Sequence, residues 1–143
     1  MQSRSWKDTM VNLLVNIDVE DLEKAVSFYV VGLGLKPGRR LGAHAREMLG
    51  APSPIYLLEN ASHTRPFAAA MSSRDYGRHW TPVHLDFAVE DLDAAVARAL
   101  AAGAALEGEI EERAWGRLAR MADPFGHGFC LLQFQGRGYD EMV

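Results

Sequence analysis

Val19-Glu20-Asp21-Leu22-Glu23-Lys24-Ala25-Val26 returns as Val89-Glu90-Asp91-Leu92-Asp93-Ala94-Ala95-Val96, 70 positions later in a chain of 143 residues, with six of the eight positions identical. A word repeated at half-length implies two copies of one supersecondary unit. Such copies can pair about a pseudo-twofold axis, so that matching residues face each other over a shared cleft.

The flanks of the two words carry the same order of elements. Val11, Leu13, Val15, Ile17 and Val19 alternate with polar or less buried types, as do Val83, Leu85, Phe87 and Val89. Period two with one apolar face predicts a half-buried strand over residues 11–19 and another over 83–89. After each word the period changes: Leu22, Ala25, Val26 and Tyr29, and then Leu92, Ala95, Val96 and Ala99, fall at helical spacing. Asp21 and Asp91 suit the N-cap, and Gly32-Leu33-Gly34 and Gly103 suit the stops.

Downstream, residues 108–113, 118–122 and 129–134 read as strands, with Asp123-Pro124-Phe125-Gly126 as the turn between the last two. Residues 55–60 are the counterpart of the final strand. Between Gly38 and Pro54 the pattern allows a strand over 39–41 and a short helix over 45–49. The expected architecture is therefore α+β, with two βαβββ modules, pseudo-repeats of about 9–60 and 80–136, curved mixed sheets around a cleft, and a polar connector from 61 to 81.

Composition narrows the function classes. Hydrophobic residues make up 48% of the chain and the formal net charge is −4. That charge argues against nucleic acid, and no apolar run or leader points to a membrane or to export. The expected setting is cytoplasmic. A single cysteine, Cys130, excludes an internal disulfide.

Asn16-Ile17-Asp18-Val19-Glu20-Asp21-Leu22 with Phe28-Tyr29 and Leu33-Gly34-Leu35, and then His84-Leu85-Asp86-Phe87-Ala88-Val89-Glu90-Asp91-Leu92 with Asp123-Pro124-Phe125-Gly126-His127, resemble the two modules of the vicinal-oxygen-chelate superfamily. This is the glyoxalase/bleomycin-resistance/dioxygenase family. The resemblance implies the tandem βαβββ fold. It leaves open a lyase (lactoylglutathione lyase-like), a dioxygenase-like enzyme, or a drug binder. Members of this length often pair, which implies a homodimer.

The family's enzymes hold a divalent metal (Zn, Ni, Mn or Fe) on four side chains, usually His and Glu, two from each module. Carried over by position, that set becomes Leu14, Tyr56, His84 and Cys130 here. One strong ligand survives, so no metal is expected. Glu59 could join only if the strand register slips.

The residues expected to bind a small-molecule ligand are Leu14, Asn16, Tyr56, His84, Asp86, Trp115 and Cys130. His84 and Asp86, at i and i+2 on one strand face, are the candidate catalytic pair: a carboxylate can hold a histidine in one tautomer as a proton acceptor. Their structural alternative is mutual satisfaction. Cys130, in an apolar strand without an adjacent base, reads as structural, and His127 as a turn residue. Trp115 could stack on a flat ligand or cap the cleft edge. His63, Tyr76, His79 and Trp80 lie in the connector, which could be a lid or a solvated crossover.

Overall fold

The computed structural model describes residues 11–143; the expected start of the first repeat at residue 9 lies outside the described residues. The first module runs β1 (Val15–Val19), α1 (Leu22–Ser27), β2 (Lys36–Arg40), β3 (Ala45–Leu49) and β4 (Ile55–Glu59). The second runs β5 (Leu85–Ala88), α2 (Leu92–Ala101), β6 (Ala105–Leu106), β7 (Glu111–Arg113), β8 (Gly116–Ala122) and β9 (Gly128–Phe134). A 3-10 turn, Gly138–Met142, ends the chain. The sheets are ordered β1-β4-β3-β2 and β5-β9-β8-β6, with β7 also on β8. β1 pairs parallel with β4, as β5 does with β9, and the remaining pairs are antiparallel. This is the α+β, tandem βαβββ arrangement, with the strand after α2 in the second module divided into β6 and β7, both paired with β8.

The repeat extends further than the matching word. Asp21 Oδ1 accepts from Lys24 N and Asp91 Oδ1 from Ala94 N, both at 3.1 Å, so each helix has the same N-cap. A second free amide of each first turn is closed from the module's last strand. Leu22 N donates to Glu59 Oε2 and Leu92 N to Gln133 Oε1, both at 2.8 Å. The same offset between the closing strands (59 to 133) matches Tyr56 with Cys130. Tyr56 lies beside Asn16 in the β1–β4 ladder, and Cys130 lies beside Asp86 in the β5–β9 ladder.

Three local expectations are corrected. Residues 45–49 form β3, not a helix, because both edges of the segment are hydrogen-bonded, to β2 on one side and β4 on the other. The opening strands are shorter than residues 11–19 and 83–89. β4, the neighbour of β1 among the described residues, starts after Pro52 and Pro54, where prolines supply no ladder donor; Val15 N bonds to Pro54 O at 3.0 Å. In the second module the strand expected over 108–113 is confined to β7, and β6 pairs with β8 ahead of it. The helical period also widens at its end, where Phe28–Gly32 form a π turn.

One hydrophobic core serves both modules. Val19, Leu22, Phe28 and Leu57 pack in the same cluster as Leu92, Val96, Met121, Phe129 and Leu131. Neither half could bury enough surface alone. Phe28 meets Phe129 edge-on at 6.4 Å between ring centres. The modules approach closely at Gly32, where an added Cβ would lie 3.0 Å from Ala102 Cβ.

Two polar clamps reinforce this join. Tyr29 donates its hydroxyl to Asp123 Oδ2 at 2.7 Å, and His127 Nε2 donates to Asp18 O at 2.6 Å. Both draw on the Asp123-Pro124-Phe125-Gly126-His127 turn. Asp123 shapes that turn by accepting from Phe125 N and His127 N. Gly126, at φ +84°, occupies the left-handed region that the turn requires, and a Cβ there would also strike the connector at Gly77 O.

No helix among the described residues is long and apolar enough to cross a membrane.

Candidate functional site

Among the described residues, β1 and β5 are each the end strand of their sheet, so each has one edge without a strand partner there. A cavity of about 450 Å³ lies between them. Its apolar wall comes from the strand faces turned toward the core: Val15 and Ile17 from β1, Leu85 and Phe87 from β5, and Phe129 from β9. Its polar lining is Asn16, Asp18, Tyr29, His79, Thr81, His84 and His127. A drug-sized ligand pocket typically has this volume and this mix.

The connector forms part of the lining rather than a detached crossover. His79 bridges in parallel to His127, with His79 N donating to Gly126 O at 3.3 Å. Trp80 packs against His84 with ring centres 4.7 Å apart and the rings tilted by 42°. Arg74 Nε donates to Asp18 Oδ2 at 2.8 Å, and Asn60 Nδ2 donates to Asp18 Oδ1 at 3.0 Å. Tyr76 donates to Asn60 O and also packs on Phe125 and His127. Burial raises the Tyr76 phenol above its ordinary pKa, with the Asp18 carboxylate adding to the shift.

Of the residues expected at a site, Asn16 and His84 line this cavity. Leu14, just before β1, is half exposed at 45% and lies outside the lining, as does Tyr56. Asp86 and Cys130 also lie outside it. They sit on the helix-averted face of the second sheet, where Asp86, Cys130 and Arg120 form a row across β5, β9 and β8. Arg120 continues that row by donating to Glu111 Oε2 at 3.2 Å. Trp115 is farther along the same sheet, packed with Phe134 and Tyr139 at ring separations of 5.9 and 5.2 Å. The structure therefore divides the expected residues: Asn16 and His84 lie at the cavity, and Asp86 and Cys130 on the helix-averted face of the second sheet.

His84 joins the two places. Its Nε2 lies 3.2 Å from Asp86 Oδ1. His84, Asp86 and Cys130 present one ligand atom each, all within 4.8 Å of one another. The family's metal can be tested against these donors. Leu14 has no donor atom. Cys130 is 2% exposed, and burial, with the Asp86 carboxylate adding to it, pushes the thiol up to about 11. Cys130 offers a soft sulfur where the family set has a carboxylate, and hard divalent ions require several oxygens. Glu59 is committed elsewhere: it caps α1 and accepts from His44 Nδ1 at 2.8 Å, and these contacts, Leu22 N first, lower its pKa. The residues present do not fit the four-ligand His/Glu site.

Sequence reasoning missed Asp18, Tyr29, His79 and His127 as lining residues. Asp18 was within reach, since it shares a strand face with Asn16 at i+2. The three others arrive through the module join and the connector, which no local pattern reports.

A glyoxalase-like domain model matches residues 14–132, and the chain belongs to that family; it shares its fold with a glyoxalase/bleomycin resistance protein/dioxygenase family enzyme from Burkholderia phytofirmans. An uncharacterized protein of Mycobacterium bovis is 34% identical over 121 residues, covering 80% of this chain and 78% of that protein. The anthracycline biosynthesis protein DauV of Streptomyces sp. is 30% identical over 127 residues; the match takes in 85% of this chain but only 40% of DauV's length. Among solved structures, the fosfomycin resistance protein FosX of Listeria monocytogenes superposes with a TM-score of 0.70 at 20% identity, covering 94% of this chain and all of FosX. TnmS3, an antibiotic binding protein from Streptomyces sp. CB03234, gives 0.63 at 26% identity, covering 89% of this chain and 98% of its own.

Proposed function

We propose that this protein binds a small organic molecule in the cavity between β1 and β5, without a family-type metal. The observation that carries this reading is the cavity itself: an apolar wall ending in histidines, roofed by the connector, between two strand edges. The likeness to proteins described as an antibiotic binder and an anthracycline biosynthesis protein supports the same class of ligand.

Calorimetric titration with a soluble anthraquinone and with fosfomycin tests the reading. At least one is expected to bind saturably at micromolar concentration, and Thr81→Phe, which fills the cavity from the exposed connector, should abolish that binding. Absence of binding by both, or binding indifferent to Thr81→Phe, contradicts it.

A second reading, proton abstraction by His84 held by Asp86, is favoured by the 3.2 Å separation of the pair. In that case Asp86→Asn would lower turnover while sparing ligand affinity. The chain is further proposed to form a homodimer. The sheet face averted from the helices carries Phe134 at 42% exposure beside Trp115 and Tyr139, an apolar surface that a second copy can cover. Light scattering should report about twice the 15.8 kDa chain mass; the monomer mass at micromolar concentration contradicts the dimer.

A further inference from the structure

The polar lining of the cavity is strongly one-sided, because most of its donors are already used within the protein. A carbonyl oxygen can only accept, so each ring nitrogen facing one must carry the proton. His79 Nδ1 faces Gly77 O at 2.8 Å, and His127 Nε2 faces Asp18 O at 2.6 Å. His84 Nε2 faces the Asp86 carboxylate, which likewise only accepts. In the neutral rings this leaves His79 Nε2, His84 Nδ1 and His127 Nδ1 as lone-pair acceptors. The hydroxyls follow the same rule. Tyr29 donates to Asp123 and Thr81 to Val83 O, so both oxygens can only accept from a ligand. Asn16 alone among the polar lining residues offers a side-chain N–H with no such commitment.

Asp18 is the one carboxylate in the cavity lining, and it is ion-paired with Arg74 and accepts from Asn60; Asp86 and Asp123 lie outside the lining, and Asp123 accepts from Tyr29 and two backbone amides. A cationic ligand would therefore lose its hydration without gaining a free counter-ion. Neutral hydroxyl donors satisfy the acceptors without that cost, and the wall of Val15, Ile17, Phe87 and Phe129 suits a ring system.

Resting on the cavity-binding reading above, we infer that the ligand is a neutral hydroxylated aromatic, a phenol or polyphenol whose hydroxyls donate to the imidazoles of His79, His84 and His127. A site built of committed acceptors rejects an analogue that cannot donate, because its buried lone pairs are then left without partners.

The test compares three probes by titration at pH 8: 2,6-dihydroxynaphthalene, 2,6-dimethoxynaphthalene and 2-naphthylmethylammonium. The dihydroxy probe is expected to bind at least ~10-fold more tightly than either of the others, since each hydroxyl–imidazole bond contributes roughly a factor of 5. His79→Phe and His84→Phe keep a ring in place. Each should weaken the dihydroxy probe by about 5-fold and leave the dimethoxy probe unchanged. Urea midpoints within error of the parent exclude misfolding as the cause. Equal affinity for the dihydroxy and dimethoxy probes overturns the donor selection while leaving the cavity as a binding site. Preference for the ammonium probe overturns it in favour of a cation. Failure of all three to bind overturns it together with the cavity reading.

Discussion

Tyr29→Phe isolates one atom of the join between the modules. The hydroxyl that it removes donates to Asp123 Oδ2 at 2.7 Å, with both residues buried, at 3% and 5% exposure. A hydrogen bond to a buried carboxylate contributes roughly 1.5–3 kcal/mol. Asp123 keeps its bonds from Phe125 N and His127 N, so the loss belongs in the middle of that range, about 2 kcal/mol. In a chain of this size that corresponds to a fall in melting temperature of roughly 4–8 °C.

The same substitution has a signature in alkali. Burial first, and then the Asp123 carboxylate, raise the Tyr29 phenol well above its ordinary pKa. The folded state therefore holds the proton after the unfolded chain has lost it. The stabilisation is complete below the unfolded value of about 10 and is lost as pH rises through the folded one. Urea denaturation from pH 7 to 11 should show the parent losing stability faster above pH 10 than the phenylalanine variant does. A variant within 0.5 kcal/mol of the parent at pH 7, or one with the parent's full alkaline slope, refutes the clamp.

Two further outcomes follow from particular contacts. Gln133→Ala leaves Leu92 N without its acceptor and should cost about 1 kcal/mol in urea unfolding; a neutral result would mean that the symmetric closure of the helices from their last strands is incidental. Cys130, buried and with its thiol raised to about 11, should react with iodoacetamide at pH 8 far more slowly than a free thiol does; equal labelling rates in folded and urea-unfolded protein would contradict that burial.

Much of the fold was legible because it is written twice. The Val-Glu-Asp-Leu word, the alternation before it and the helical spacing after it are local patterns, and both N-caps fall at Asp21 and Asp91 as expected. β3 was misread because Ala45-Arg46-Glu47-Met48-Leu49 has neither β-branched residues nor clean alternation; it is a strand because β2 and β4 flank it. The site was only half legible for a related reason. Periodicity places His84 and Asp86 on one face, and it finds Asn16. It says nothing about how two sheets meet, and that meeting brings His79, His127 and Tyr29 to the same cavity as His84 while leaving Cys130 and Trp115 outside it.

The most direct test of a ligand site that works without a metal is binding before and after chelation. The protein is dialysed against EDTA and then metal-free buffer, its metal content is measured by mass spectrometry, and 2,6-dihydroxynaphthalene is titrated into parent and Thr81→Phe protein. The account predicts substoichiometric metal, an unchanged dissociation constant after chelation, and binding lost in Thr81→Phe. Binding that disappears with EDTA and returns with added Mn²⁺ or Zn²⁺ would contradict it.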